Sequence, residues 1–192
     1  PPLRPALEAA ALQAGGWLNA ALRLERLGRS YHQFAGVVAE AVDSLAPAET
    51  RRGQAVAYYA ALLASELHLP DREAERIEFA ALLHGIGKIS VPDGLLHKPE
   101  PLTPDERETV RHALVAGADW LRDVEGLEEI AAIVRHQGER FDGTGYPDGL
   151  RGEQIPLGAR VLAAALRFSS MTNARSDRRA MSVVGGGLHA LQ

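Results

Sequence analysis

The sequence predicts an all-α fold, a helical bundle with a short N-terminal helical extension. Three observations carry this. Apolar residues recur at helical spacing through most of the chain, no stretch of period-two alternation reads as a strand, and helix start and stop signals punctuate the segments between.

The elements follow in order. Residues 3–28 are rich in Leu and Ala with many arginines, and Gly15-Gly16 interrupts them. Two adjacent glycines argue against one uninterrupted coiled coil. Residues 31–45 place Tyr31, Phe34, Val38, Ala41, Val42 and Leu45 on one helical face, and Pro47 ends that segment. Residues 49–68 repeat the pattern with Val56, Tyr59, Leu63 and Leu67. Pro70-Asp71 then punctuates, with Asp71 the expected cap of a helix over 72–84. Gly85 and Gly87 break that helix, and Pro92-Asp93-Gly94 marks a turn. Thr103-Pro104-Asp105-Glu106 is a strong helix start, with Thr at the N-cap, Pro in the first turn and Glu closing a capping box. That helix is expected to reach about Leu121, and another to cover about 126–137. The loop 138–155 is dense in Asp-Gly and Pro-Asp turns, and Pro156 opens a last helix to about Asn173. Gly185-Gly186-Gly187 leaves the end of the chain without an assignment. No repeat of 20–50 residues is present.

The bulk numbers exclude several classes. The chain has 192 residues, enough for one domain with a sizeable core and an extension; we place the boundary at 1–50 and 51–192. It is 46% hydrophobic and 24% charged, with a net charge of −4 that gives no reason to expect nucleic acid as a partner. The absence of cysteine removes disulfides and thiolate zinc sites and suits a cytoplasmic setting. No apolar run approaches the roughly 18–20 residues of a membrane span. The first residue is Pro1, which points to a processed product or a piece of a longer protein; no signal peptide pattern follows it.

Metal sites want His and carboxylate groups converging from several elements. Seven histidines are candidates: His32, His68, His84, His97, His112, His136 and His189. A lone His on a helix is more often an exposed or satisfied polar residue than a ligand. Motifs single out His84 and His112. Leu82-Leu83-His84-Gly85-Ile86-Gly87-Lys88-Ile89 is followed by Val91-Pro92-Asp93, Lys98-Pro99, Leu102-Thr103 and Arg111-His112. Glu139-Arg140-Phe141-Asp142-Gly143-Thr144-Gly145-Tyr146-Pro147 comes next, and then Gly152-Glu153-Gln154-Ile155-Pro156-Leu157-Gly158-Ala159-Arg160.

In order and spacing these motifs resemble the HD-GYP branch of the HD superfamily of metal-dependent phosphohydrolases, over about residues 51–182. The resemblance implies an HD-superfamily helical bundle and a link to cyclic di-GMP. It also implies a set of ligand positions. The His of the family's His-Asp pair matches His84, and the His of the next helix matches His112. The other ligand positions match Arg52, Gly85, Gln137, Gly138 and Leu166, with His136 standing one position ahead of the family's His-His-Glu. None of those five side chains suits a metal, and Arg52 carries a permanent positive charge. Two neutral imidazoles do not balance a pair of divalent cations in a buried pocket. The resemblance further matches Lys88, Arg175 and Arg178 to basic residues that contact the substrate's phosphates, and Gly143, Gly145, Tyr146 and Pro147 to a loop that contacts GGDEF-type cyclases.

The expected function is therefore a catalytically degenerate HD-GYP domain, a binding or protein-interaction module in cyclic di-nucleotide signalling. It would have no catalytic residues and no metal cofactor. Its expected partners are cyclic di-GMP, GGDEF-type proteins, and a second copy in a homodimer through the N-terminal helices. The competing reading is an active cyclic di-GMP phosphodiesterase with one iron, manganese or zinc ion held by His84, His112 and either His136 or Glu139. A third is a dimerising scaffold that binds no nucleotide.

Overall fold

The computed structural model describes residues 3–46 and 52–172. Among these residues every regular element is helical, as the apolar spacing predicts. The α-helices are α1 (Leu3–Ser44), α2 (Arg52–Glu66), α3 (Asp71–Leu83), α4 (Asp93–Leu96), α5 (Pro104–Arg122), α6 (Glu128–Arg135) and α7 (Leu157–Thr172). Short 3-10 turns cover Ile86–Ser90, His136–Gly138 and Gly152–Gln154.

The chain divides into two compact units, 1–34 and 35–192. In the first unit, residues from Leu3 onward are helical throughout. The expected interruption at Gly15-Gly16 does not occur. Glycine lacks helix propensity, at about 1 kcal/mol each relative to Ala, but it does not forbid the helix.

The second unit holds the bundle. Its core is built from α2, α3, α6 and α7, with Val56, Ile77, Val134 and Leu162 fully buried. Each such side chain contributes about 1.5–3 kcal/mol over its exposed state. Ala35 and Ala39 join the same core, so apolar residues on the last turns of α1 are part of this unit. Helix α3 packs against α2, α6 and α7, and α5 packs against α6 and the 86–90 turn. Helices α6 and α7 approach closely at Gly158, where an added Cβ would lie 2.7 Å from the Ile133 side chain. Tyr59 on α2 and Phe168 on α7 meet edge to face with ring centroids 4.8 Å apart.

Caps follow the local chemistry. At the start of α5 the Thr103 hydroxyl accepts from the Glu106 amide at 3.3 Å, and Glu106 accepts from the Thr103 amide at 2.8 Å. Lys98 donates to both oxygens of Glu106 at 2.7 Å and, with that backbone bond, lowers its pKa. Three local expectations are corrected. Asp71 does not cap α3: Pro70 holds the cap position, and Asp71 lies in the first turn, where its charge faces the positive helix end. Pro92-Asp93-Gly94 opens the short helix α4, with Pro92 at its cap. The helix expected over 126–137 is shorter, because its last turn tightens into 3-10 geometry at His136–Gly138. Arg175, Arg178 and the Gly185–Gly187 run lie outside the described residues.

Candidate functional site

The motif residues gather where α3 ends, over α5 and beside the end of α6. Helix α3 stops at Leu83, and His84 follows, buried. Its Nδ1 lies 2.7 Å from the Ala81 carbonyl oxygen, which can only accept, so Nδ1 is the donor of this contact. The backbone then turns through Gly85 into the 86–90 turn. That turn rests directly on α5. A Cβ on Gly87 would lie 2.7 Å from the Leu114 Cα, and one on Gly117 would strike the Gly87 backbone. Two glycines facing each other let the main chains touch.

At Gly85 an added side chain would start in close contact with its neighbours. A Cβ there would lie 3.3 Å from Val42 Cγ1 and 3.6 Å from Lys88 Cε. The half-buried stem of Lys88 thus folds back across this position. His112 sits one residue before Ala113, which faces inward, and its own side chain is 78% exposed. Its Nε2 lies 3.4 Å from Glu108 Oε1. His84 therefore faces the interior and His112 faces solvent.

The remaining inherited positions have structural partners. Gln137 donates from Nε2 to the His84 carbonyl at 3.1 Å, tying the end of α6 to the end of α3. Gly138 lies under the Tyr146 ring so closely that an added Cβ would strike the ring. Leu166 on α7 packs on the apolar core. Arg52 begins α2 and is half-buried. Beside it the Gly53 amide donates to Asp43 Oδ2 at 2.8 Å. Sequence reasoning missed Asp43. It continues the Ala35-Ala39 row by four residues, and a carboxylate on an apolar helical row was the available signal.

The loop from Glu139 to Asp148 is held at both ends. Glu139 is buried, and its Oε1 accepts from the Asp148 amide at 2.8 Å; its Oε2 has no hydrogen-bond partner. The Asp148 carboxylate takes a bidentate pair from Arg135 at 3.0 and 2.9 Å and meets His136 Nε2 at 2.9 Å. Arg135, and after it His136, hold the Asp148 pKa down at about 2, and Asp148 in turn raises that of Arg135. Within the loop, Arg140 and Thr144 clamp Asp142 and hold its carboxyl well below the usual range. Gly145 lies against the Glu139–Arg140 backbone, where a Cβ has no room. The Tyr146 ring carries the Arg111 guanidinium 4.8 Å from its centroid, and burial raises its phenol pKa. Pro147 follows through a cis peptide bond.

The donor set does not fit a metal pair. Among the described residues no three His, Asp, Glu or Cys side chains form a group that could hold an ion. Of the ligand positions implied by the resemblance, only His84 offers a buried donor. The positions that do converge build a closed, hydrogen-bonded loop with Arg111 over the Tyr146 ring.

Comparison with known proteins agrees with the motifs. The profile of the HD domain family matches residues 36–186. A cyclic di-GMP phosphodiesterase response regulator of Xanthomonas campestris pv. campestris is 40% identical over 131 residues, 67% of this chain and 34% of the relative. A cyclic di-GMP phosphodiesterase of Thermotoga maritima is 34% identical over 157 residues, 79% of this chain and 43% of the relative. A 3'3'-cGAMP-specific phosphodiesterase of Vibrio cholerae is 33% identical over 150 residues, 78% of this chain and 35% of the relative. The chain thus spans between a third and a half of the length of these relatives. With an all-helical bundle, the His84 and Tyr146 motifs in order and a profile match over most of its length, the chain belongs to the HD domain family.

Proposed function

We propose that the chain is a catalytically degenerate HD-GYP domain that works as a binding or protein-interaction module in cyclic di-nucleotide signalling, in the cytoplasm. One observation carries the reading: the position that the resemblance gives to the bridging Asp is Gly85, which has no side chain to ligate a metal. The seat of Gly138 beneath Tyr146 supports it, since any side chain there displaces the ring. The relatives' names make a cyclic dinucleotide the natural ligand class. Lys88 is then the first phosphate contact to test, with Arg175 and Arg178 beyond the described residues. The loop presenting Gly143, Gly145, Tyr146 and Pro147 is the first surface to test against GGDEF-type proteins.

Hydrolysis without a metal-activated hydroxide would rest on a general base such as Glu139. General-base help is worth about 10²–10⁴-fold. Phosphate ester hydrolysis is among the slowest uncatalysed reactions, with enzymatic accelerations up to about 10²¹-fold. A second reading, an active phosphodiesterase with an atypical single-metal site, is favoured by the buried His84 and by the buried Glu139 oxygen that has no hydrogen bond.

The deciding experiment is elemental analysis of protein purified without chelator and then offered iron, manganese or zinc, with cyclic di-GMP and 3'3'-cGAMP assayed on the same samples. The proposal expects no stoichiometric metal and no turnover above buffer. One equivalent of metal lost in His84→Ala, or turnover abolished by that change, overturns it in favour of the active enzyme. Calorimetric titration with cyclic di-GMP then separates nucleotide binder from scaffold. No heat at millimolar ligand refutes the binder form and leaves protein interaction.

A further inference from the structure

The first unit, residues 1–34, is a stretch of helix α1 with no second element of its own. A lone helix is marginal in water, because most helical stability in proteins comes from packing an apolar face. This helix has such a face. Trp17, Leu24 and Tyr31 stand seven residues apart, and Ala20, Leu27 and Phe34 repeat the same interval three residues later. That is the a and d pattern of a coiled-coil seam, period 3.5 and not 3.6. Trp17, Leu24, Leu27, Tyr31 and Phe34 are each between 50% and 74% exposed. Polar residues fill other faces: Arg29 pairs with Glu25 at 3.6 Å, and Ser30 donates to the Arg26 carbonyl at 3.0 Å. Leu18 and Leu22 fall outside the seam.

From this we infer that a second copy of the chain packs along the 17–34 seam, making the protein a homodimer through a two-stranded helical pair. Area favours a copy of this chain over a small ligand. A buried aromatic side chain covers about 150–250 Å². Three such rings and two leucines at these exposures offer roughly 500–600 Å² per helix, most of the about 800 Å² per partner of a stable interface. An apolar face of roughly 500–600 Å² stands at the upper end of what a soluble monomer leaves open. The small residues flanking the seam, Ala21 and Gly28, let a second backbone approach. The pairing needs neither nucleotide nor metal, so it stands or falls apart from the proposed function.

Sedimentation of the intact chain tests it. At about 50 μM the parent is expected as a dimer. The double variant Leu24→Lys, Leu27→Lys puts charge on exposed seam positions and is expected as a monomer at that concentration. Its bundle should stay folded, read as an unchanged near-UV dichroism signal. Gln33→Lys, off the seam, is expected to remain dimeric. A monomeric parent overturns the inference, including the case in which another segment of the same chain covers the seam. So does a double variant that stays dimeric.

Discussion

Gly138→Ala is expected to destabilise the protein, because the added Cβ meets the Tyr146 ring. The added Cβ strikes the Tyr146 ring at Cζ and Cε1, so the ring must shift. Three terms add. Overpacking in a closed site costs about 1–3 kcal/mol. Exposing an aromatic side chain that was largely buried loses about 1–2 kcal/mol. Pulling Tyr146 from beneath Arg111 forfeits about 0.5–1 kcal/mol of cation–π attraction at a partly exposed site. Relaxation avoids part of the sum, and we expect about 2–4 kcal/mol, or roughly 5–15 °C in Tm for a chain of this size. The cycle with Tyr146→Ala isolates the cause. Gly138 does not have a positive φ, so without the ring an Ala there is free of backbone strain and stabilises by about 0.4–1 kcal/mol through the unfolded state. Thermal melts of the parent, both single variants and the double variant are the assay. Additive effects, with Gly138→Ala as costly in the Tyr146→Ala background as alone, would refute the reasoning.

Other outcomes follow from the same geometry. Asp148→Asn removes the bidentate Arg135 pair; lowering a carboxyl from 3.8 to about 2 corresponds to roughly 2.4 kcal/mol at full strength, and at 39% exposure solvent screening leaves about 1 kcal/mol. Because the folded pKa is depressed, that stability is complete above about pH 4 and lost as pH falls toward 2, so the Tm gap between parent and variant should close across that window; a constant gap would count against the pair. Thr103→Ala should cost about 1 kcal/mol in a thermal melt, through the lost cap on α5. Gly85→Asp should not create a metal site, since among the described residues no group of donors stands ready to complete one; tight zinc uptake by that variant, read by elemental analysis, would contradict the reading. If cyclic di-GMP binds, Lys88→Ala should weaken it roughly ten- to a hundredfold by calorimetry, as one charge-assisted phosphate contact implies.

The helices were legible because burial writes its period into the sequence. The row Val56, Tyr59, Leu63 gave α2, and the Thr103–Glu106 box gave the start of α5 to the residue. Glycine misled where its propensity was read as a stop: Gly15-Gly16 lies inside α1, while Gly87 and Gly117 mark close backbone contact. At the site, the sequence named the positions but not their directions. His84 and His112 look alike on paper, yet one faces the interior and the other solvent, because the close contact of the 86–90 turn with α5 selects Ala113 as the inward residue. Gly138 read as a missing ligand, and only the position of the Tyr146 ring explains why a glycine belongs there. Asp43 stayed hidden because its partner, the Gly53 amide, is a backbone group that no side-chain pattern announces.

The contact of Gly87 with Gly117 has a mechanical consequence. Most neighbouring elements in a protein are separated by side chains, which hop between rotamers and absorb small displacements. Here nothing lies between the two backbones. The turn that carries Lys88 and the helix that carries Arg111 and His112 are therefore geared without play. A displacement of α5 at Gly117 is passed directly to the main chain of the turn beside Lys88.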